Sequence, residues 1–405
     1  VRIDTSNAGG IARGARWVHG QLAARGVQAE LIESTPGHLN VYARIKGTQP
    51  GNGLLLFNHI DVVAPGDGWK VKPFEGEVEL NQLYGRGVLD MKAMALAQLI
   101  AFADVARSGR APRYDLVFLA TAEEERGSRN GMLWLLEHRP DVFQGITYGI
   151  TEGGLTEIMT EKMTYFGIEV GGKQPVAVTL QGDRESLRQA RFRLQRWIVR
   201  RDVDRVLPEV RQYFRDVAPT RVKFRSSLED VDGAIARGEF WELPGTYQDF
   251  VQDSLWVSEP WRHDGDTWRM RVRMRNLPDS NPDERIEWLR GVVTPLGAAV
   301  VSIDETFGPV PLSTSNTPLF RLLEREAERR YQVDAGVQVL FRSFTDSRFL
   351  RTRGIVSYGV CPFPVDYFQS LSIHGRDERI RVDWFGHGVE YMRTVTRAWA
   401  FPAAG

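Results

Sequence analysis

Unbroken apolar runs alternate with amphipathic stretches through the first 150 residues. Residues 53–58 (Gly-Leu-Leu-Leu-Phe-Asn), 114–121 and 146–151 are continuous apolar segments with polar or glycine flanks. That pattern fits strands buried on both faces. Residues 11–25 place apolar side chains at helical spacing and stop near Gly26. Residues 91–107 are rich in Ala, Leu and Met without a breaker, and 128–138 reads as a further helix. Asp90 stands where an N-cap for the 91–107 helix is expected. Residues 31–46 read as two short strands around a turn at Gly37. Strands alternating with helices predict an α/β, mostly parallel, doubly wound sheet covered on both sides.

After Met163 the period changes. Residues 166–170, 176–180, 268–274 and 298–303 alternate as strands, with helices at 185–201 and 283–293. Residues 202–262 carry scattered Trp, Pro and charge and give no assignment. The order strand, strand, helix, strand, helix, strand predicts an inserted α+β lid domain, a ferredoxin-like two-layer sandwich. Helix and strand alternation resumes with a helix at 318–331, a strand at 336–340, a helix at 347–352, a strand at 355–360 and a final helix at 383–400. The expected organisation is a discontinuous catalytic domain, 1–163 with 306–405, interrupted by a lid at 164–305.

Composition narrows the function classes. The 405 residues suffice for two cores. With 52 basic and 52 acidic residues the chain lacks the basic excess of a nucleic-acid binder. The single Cys361 excludes an internal disulfide framework and reads as a structural residue. No apolar run is long enough to span a bilayer. The sequence starts at Val1 rather than Met, and the expectation drawn is a periplasmic or secreted location after signal removal over a cytoplasmic one. A Gly-x-Ser-x-Gly elbow and a complete phosphate-binding Gly-x-x-x-x-Gly-Lys-Ser/Thr loop are both absent.

The candidate chemistry sits at the ends of the predicted elements. His59 and Asp61 follow the first buried strand, Glu124 and Glu125 the second, and Glu152 the third; Asp90 opens a helix, and His374 lies in a late loop. In doubly wound sheets, ligands bind beyond the carboxyl ends of the strands. Zinc takes imidazole nitrogen and carboxylate oxygen at about 2.0–2.2 Å. Paired ions sit roughly 3.5–4 Å apart, which asks for one bridging carboxylate. Asp90 is the expected bridge, with His59 and Glu152 on one ion and Glu125 and His374 on the other. Asp61 is expected to orient this set, and Glu124 to act as general base in an amide hydrolysis. Manganese or cobalt would suit the same ligands.

These segments resemble the di-zinc metallopeptidase family of aminoacylases, acetylornithine deacetylase, succinyl-diaminopimelate desuccinylase and glutamate carboxypeptidases. The resemblance rests on His59-Ile60-Asp61, Gly85 to Lys92, Glu124 to Ser128, Glu152-Gly153-Gly154, Thr345 to Arg348, and His374 ahead of Asp377-Glu378-Arg379. It implies a catalytic domain with an inserted lid and hydrolysis of an amide beside a free carboxylate. The expected substrate is an N-acyl amino acid or short peptide, handled by a monomer or homodimer. It also resolves the triple Glu, because Arg126-Gly127-Ser128 resembles the spacing after the family's ligand Glu. Arg275, ahead of Leu277-Pro278, matches a family Arg that would clamp a substrate carboxylate. A Gly-His-Ser-like lid segment is missing, since the corresponding stretch reads Leu180 to Ser186 without His. That departure motivates an alternative: a weakly active relative that binds peptides or acyl amino acids.

Overall fold

The computed structural model describes residues 1–159, 162–198, 203–333 and 336–402. The chain divides into two compact units. The first comprises Val1–Val170, Ser313–Val337 and Thr345–Gly405; the second comprises Gly171–Leu312 with Gln338–Phe344. The first boundary falls later than position 164 for a local reason. Strand Lys162–Gly172 pairs with Leu155–Met159, and its Glu169 pairs with Gly359, which holds it in the first unit as far as Val170.

In the first unit, Leu116–Thr121, Gly53–His59, Ile146–Thr151 and Val356–Gly359 are parallel neighbours in that order. Antiparallel strands Glu30–Thr35 and His38–Ile45 extend one side, and Lys162–Gly172 the other. Every residue of Gly53–His59 and Leu116–Thr121 is buried, as continuous apolar runs require. Leu54, Leu56 and Phe118 join a core with Phe102, Leu323, Tyr391 and Val395 from helices Ala93–Arg107, Pro318–Tyr331 and Val382–Ala400. Residues alternate across a strand, so Leu55 and Phe57 leave from the opposite face. There a Cβ on Gly149 would meet Phe57 at 3.0 Å and Leu350 of helix Ser347–Arg351 at 3.5 Å. Each such side chain contributes about 1.5–3 kcal/mol by burial, so the two covered faces account for much of the unit's stability.

One expected element differs. Helix Ala93–Arg107 starts three residues after Asp90, and Asp90 caps nothing: its backbone is extended, at φ −119° and ψ 91°. The turn opens at Gly87, with φ +79°, a left-handed conformation that glycine adopts without strain. Its backbone N–H groups are claimed elsewhere, by Glu378.

The second unit has an antiparallel sheet with the order Ser254–Val257, Thr267–Asn276, Gln174–Gly182, Ala299–Thr306. Helices Arg184–Ile198 and Pro282–Val293 complete a ferredoxin-like strand and helix order. Val176, Val178, Leu180, Met270, Val272 and Met274 pack on Leu187, Leu194, Ile286 and Leu289 of those helices. The unassigned stretch contains short helices: Pro208–Val217, Arg225–Glu229, Val231–Arg237 and Gly245–Gln248. The aromatics of those helices and their turns are core, while Trp256 and Trp261 further on are exposed. Phe214 lies 5.8 Å from Tyr247 and 6.2 Å from Phe240, ring to ring, and all three are buried. Among the described residues, no helix is long and apolar enough to cross a membrane.

Candidate metal centre

His59 ends its strand and pairs in parallel register with Thr121. Residues that follow Thr121 and Thr151 therefore emerge at the same edge of the sheet as His59. The His59 Nδ1 lies 2.9 Å from the backbone carbonyl of Asp61. That hydrogen bond places the proton of the neutral ring on Nδ1 and leaves the Nε2 lone pair free to coordinate. Nε2 is 3.1 Å from Asp90 Oδ1 and 3.3 Å from Glu152 Oε1. The second Asp90 oxygen, Oδ2, is 2.9 Å from His374 Nε2, which is 3.1 Å from Glu125 Oε1. His59, Asp90 and Glu152 thus form one group and Asp90, Glu125 and His374 another, the ligand atoms of each lying within 4.8 Å of one another. All belong to the first unit.

Each group offers one imidazole nitrogen and two carboxylate oxygens, a donor set that suits zinc. The electrostatics point the same way. Burial pushes Glu152 up to about 8, the charge of Asp90 adding to it and His59 offsetting part. Burial also pushes Glu124 well above the usual carboxylate range, with His59 opposing and Asp346, Glu152 and Glu125 adding to the rise. Hydrogen bonds to Asp90 and Glu125 raise His374 to about 10. Against its own burial, Asp90 is held well below the usual range by the neighbouring His374 and His59 rings. The cluster carries excess negative charge that nearby cations stabilise.

The three consecutive glutamates point different ways. Glu123, at φ +65°, turns from the cluster: Oε1 lies 3.3 Å from His38 Nε2, and Oε2 accepts from Asn130 Nδ2 at 2.6 Å. Glu125 meets His374. The carboxylate of Glu124 has no hydrogen-bond partner among the described residues, and its neighbouring charges are those of the cluster. Asp61 sets this turn. Its Oδ1 accepts the backbone N–H of Glu124 at 3.0 Å and its Oδ2 that of Glu125 at 3.1 Å.

Three further residues shape the centre: Asp346 and Glu378, which stand in segments that carry the resemblance but were given no role in sequence, and Glu169, which was not singled out. Glu378, fully buried, accepts from the backbone N–H of Gly87 at 2.9 Å, Leu89 at 2.8 Å and Asp90 at 3.2 Å, and from Arg86 Nη1 at 2.6 Å. This fixes the irregular turn that presents Asp90. Buried Asp346 accepts from Ser128 Oγ, and burial lifts it to about 6, against that hydrogen bond. Glu169 backs the turn after Glu152. A Cβ on Gly153, where φ is +121°, would fall 2.1 Å from Glu169 Oε2, as would one on Gly359. The other Glu169 oxygen accepts from Arg351 Nη2 at 2.9 Å. For Glu169 the signal was an acidic residue between Ile168 and Val170; Asp346 and Glu378 have polar and charged neighbours and were marked only by the resemblance.

Comparison with known proteins gives this arrangement its relatives. Residues 55–398 match peptidase family M20/M25/M40. The chain belongs to that family. A succinyl-diaminopimelate desuccinylase of Bradyrhizobium sp. (strain ORS 278) is 41% identical over 105 residues, which are 25% of this chain and 27% of that protein. The aligned stretch thus spans about a quarter of the curated relative. Over nearly the whole length, the fold is similar to the M20 family metallo-carboxypeptidase Sso-CP2 from Sulfolobus solfataricus, with TM-score 0.74, 18% identity, and coverage of 98% of this chain and 97% of that one. It is also similar to human carnosine dipeptidase 1, with TM-score 0.73, 13% identity, and coverage of 96% and 91%. At these identities the structural likeness speaks for the M20 fold. Of the residues expected to act, His59, Asp61, Asp90, Glu124, Glu125, Glu152 and His374 come together, while Arg275 lies in the second unit.

Proposed function

We propose that the chain is a metal-dependent hydrolase that cleaves an amide or peptide bond beside a free carboxylate, in an N-acyl amino acid or small peptide. The observation that carries this reading is the division of Asp90, one oxygen toward His59 and one toward His374, with Glu124 unpartnered beside them. His59, Asp90 and Glu152 would hold one zinc ion, and Asp90, Glu125 and His374 the other; manganese or cobalt suits the same donors. When bound, the ions supply Lewis-acid polarisation of the scissile carbonyl and a lowered pKa for water.

The chain's own groups do the rest. Glu124 accepts the proton of the attacking water and returns it to the leaving nitrogen, and its raised affinity for protons suits both transfers. Asp61 holds Glu124 and Glu125 in register through their backbone N–H groups. Glu378 keeps Asp90 presented. By the resemblance alone, Arg275 of the second unit is the candidate for bidentate capture of a substrate carboxylate. Glu123, engaged with His38 and Asn130, is not available as the base.

The test combines metal analysis with a panel of N-acyl amino acids and dipeptides. Two equivalents of metal and chelator-sensitive turnover are expected. Glu124→Gln should keep the metal and lose about 10³-fold in kcat. Substantial activity in that variant would move the base elsewhere. Bound metal with no turnover on any substrate would favour a peptide-binding role.

A further inference from the structure

In the second unit, Arg269, Arg271, Arg273 and Arg275 occupy alternate positions of strand Thr267–Asn276. Met270, Val272 and Met274 between them face the helices, so the four guanidinium groups leave from the opposite, open face. Trp256, 54% exposed on the neighbouring strand, lies beside Arg273, whose guanidinium is 5.7 Å from the ring centre. At the Arg275 end the positive charge grows. Lys173 is 1% exposed, with Nζ 3.4 Å from Ser254 Oγ, and Arg342 joins it from a remote stretch of chain. Burial pushes Lys173 down to about 8, with Arg275 and Arg342 adding to the shift and Asp249 and Asp253 opposing it. The nearby acids do not balance these cations. Asp249 is 3.9 Å from Arg342 and Asp304 is 3.6 Å from Arg271, while Arg273 and Arg275 have no carboxylate partner among the described residues.

We propose that this face binds an extended acidic peptide, whose carboxylates at alternate positions meet Arg275, Arg273 and Arg342, with the buried Lys173 ammonium adding positive charge behind them. Alternate residues on a strand repeat at about 6.6–6.8 Å, so an extended peptide presents carboxylates at the spacing of the arginines. Each guanidinium can take a carboxylate in a two-point contact, and Trp256 provides an apolar flank for the methylenes of a Glu side chain. The face lies wholly within the second unit, and the inference goes beyond the hydrolase reading. A nucleic acid is disfavoured by the balanced charge of the chain, 52 basic against 52 acidic.

The test uses the metal-free full chain, so that binding is read without cleavage. Tri-glutamate and tri-glutamine are titrated in turn by calorimetry at low salt, against wild type, Arg273→Gln and Arg342→Gln. Tri-glutamate should bind at least tenfold more tightly than tri-glutamine. Both variants should lose that preference while their affinity for tri-glutamine stays unchanged. Arg273 is solvent-exposed, so its variant is expected to fold. Equal affinity of the wild type for the two peptides overturns the proposal. So does an unchanged preference in Arg273→Gln, or equally tight binding of a duplex oligonucleotide. Failure of hydrolysis alone would bear on the catalytic reading and leave this result standing.

Discussion

Asp61 carries a prediction whose size can be worked from two distances. Its carboxylate accepts the backbone N–H of Glu124 at 3.0 Å and of Glu125 at 3.1 Å. Hydrogen bonds to a charged group contribute about 1.5–3 kcal/mol each, so the pair holds this turn with about 3–6 kcal/mol. The turn needs holding, because Glu123 just before it sits at φ +65°, uncommon for a residue with a side chain. Asp61→Ala removes both acceptors. If about half of the lower figure, near 1.5 kcal/mol, is expressed in the transition state, the rate falls about tenfold; the full 3 kcal/mol gives more than 100-fold. Asp61→Asn keeps one acceptor but sets its own NH₂ against the second N–H. We therefore expect kcat/KM on an N-acyl amino acid to fall about 100-fold in Asp61→Ala and about tenfold in Asp61→Asn. The His59 ring leans on the Asp61 backbone carbonyl, which both variants retain, so metal on the His59 side should remain. The assay is steady-state kinetics beside elemental metal analysis. An Ala variant within threefold of wild type would refute the argument, as would an Asn variant slower than the Ala variant.

The remaining predictions concern stability. Glu378→Ala strands Arg86, itself 1% exposed, as an unpaired buried cation, at a cost of about 3–5 kcal/mol. Urea unfolding should show a clear drop in midpoint together with weaker metal retention, and an unchanged midpoint would remove Glu378 from its assigned role. Lys173 titrates near 8 when folded against an ordinary value of 10.5. The unfolded chain therefore binds more protons between those values, and stability from this group rises as pH climbs from about 8 to about 10.5. Lys173→Met should gain up to about 3 kcal/mol at pH 7 and nothing above pH 10.5. Thermal melts of both proteins at pH 7 and pH 10 read the difference, and a gain that does not shrink with pH contradicts the argument.

Much of the fold was written in simple periods. The runs at 53–58 and 146–151 suited buried strands, which they are, and their ends located His59 and Glu152. The helix at 318–331 has unbroken amphipathic spacing and sits at those bounds in the structure, Pro318–Tyr331. Legibility failed where local rules yield to distant partners. Asp90 has the chemistry of a helix cap, yet the N–H groups near it bind a carboxylate 288 residues away in sequence. No local window contains Glu378. The stretch 202–262 hid its helices because most are too short to show a period, and a core of interlocked aromatics holds them together. The metal-type residues were legible for the opposite reason: each follows directly from a strand end or a turn, and only their convergence required the sheet.

The oxygen of Glu169 wedged against Gly153 and Gly359 makes three positions answer to one another. A methyl group at either glycine would need the space that the carboxylate holds, and a shorter side chain at 169 would leave the Arg351 guanidinium buried without its anion. Drift at any one of them is therefore blocked unless the others change with it. The backbone that follows Glu152 is thus held in place by neighbours that take no part in the chemistry.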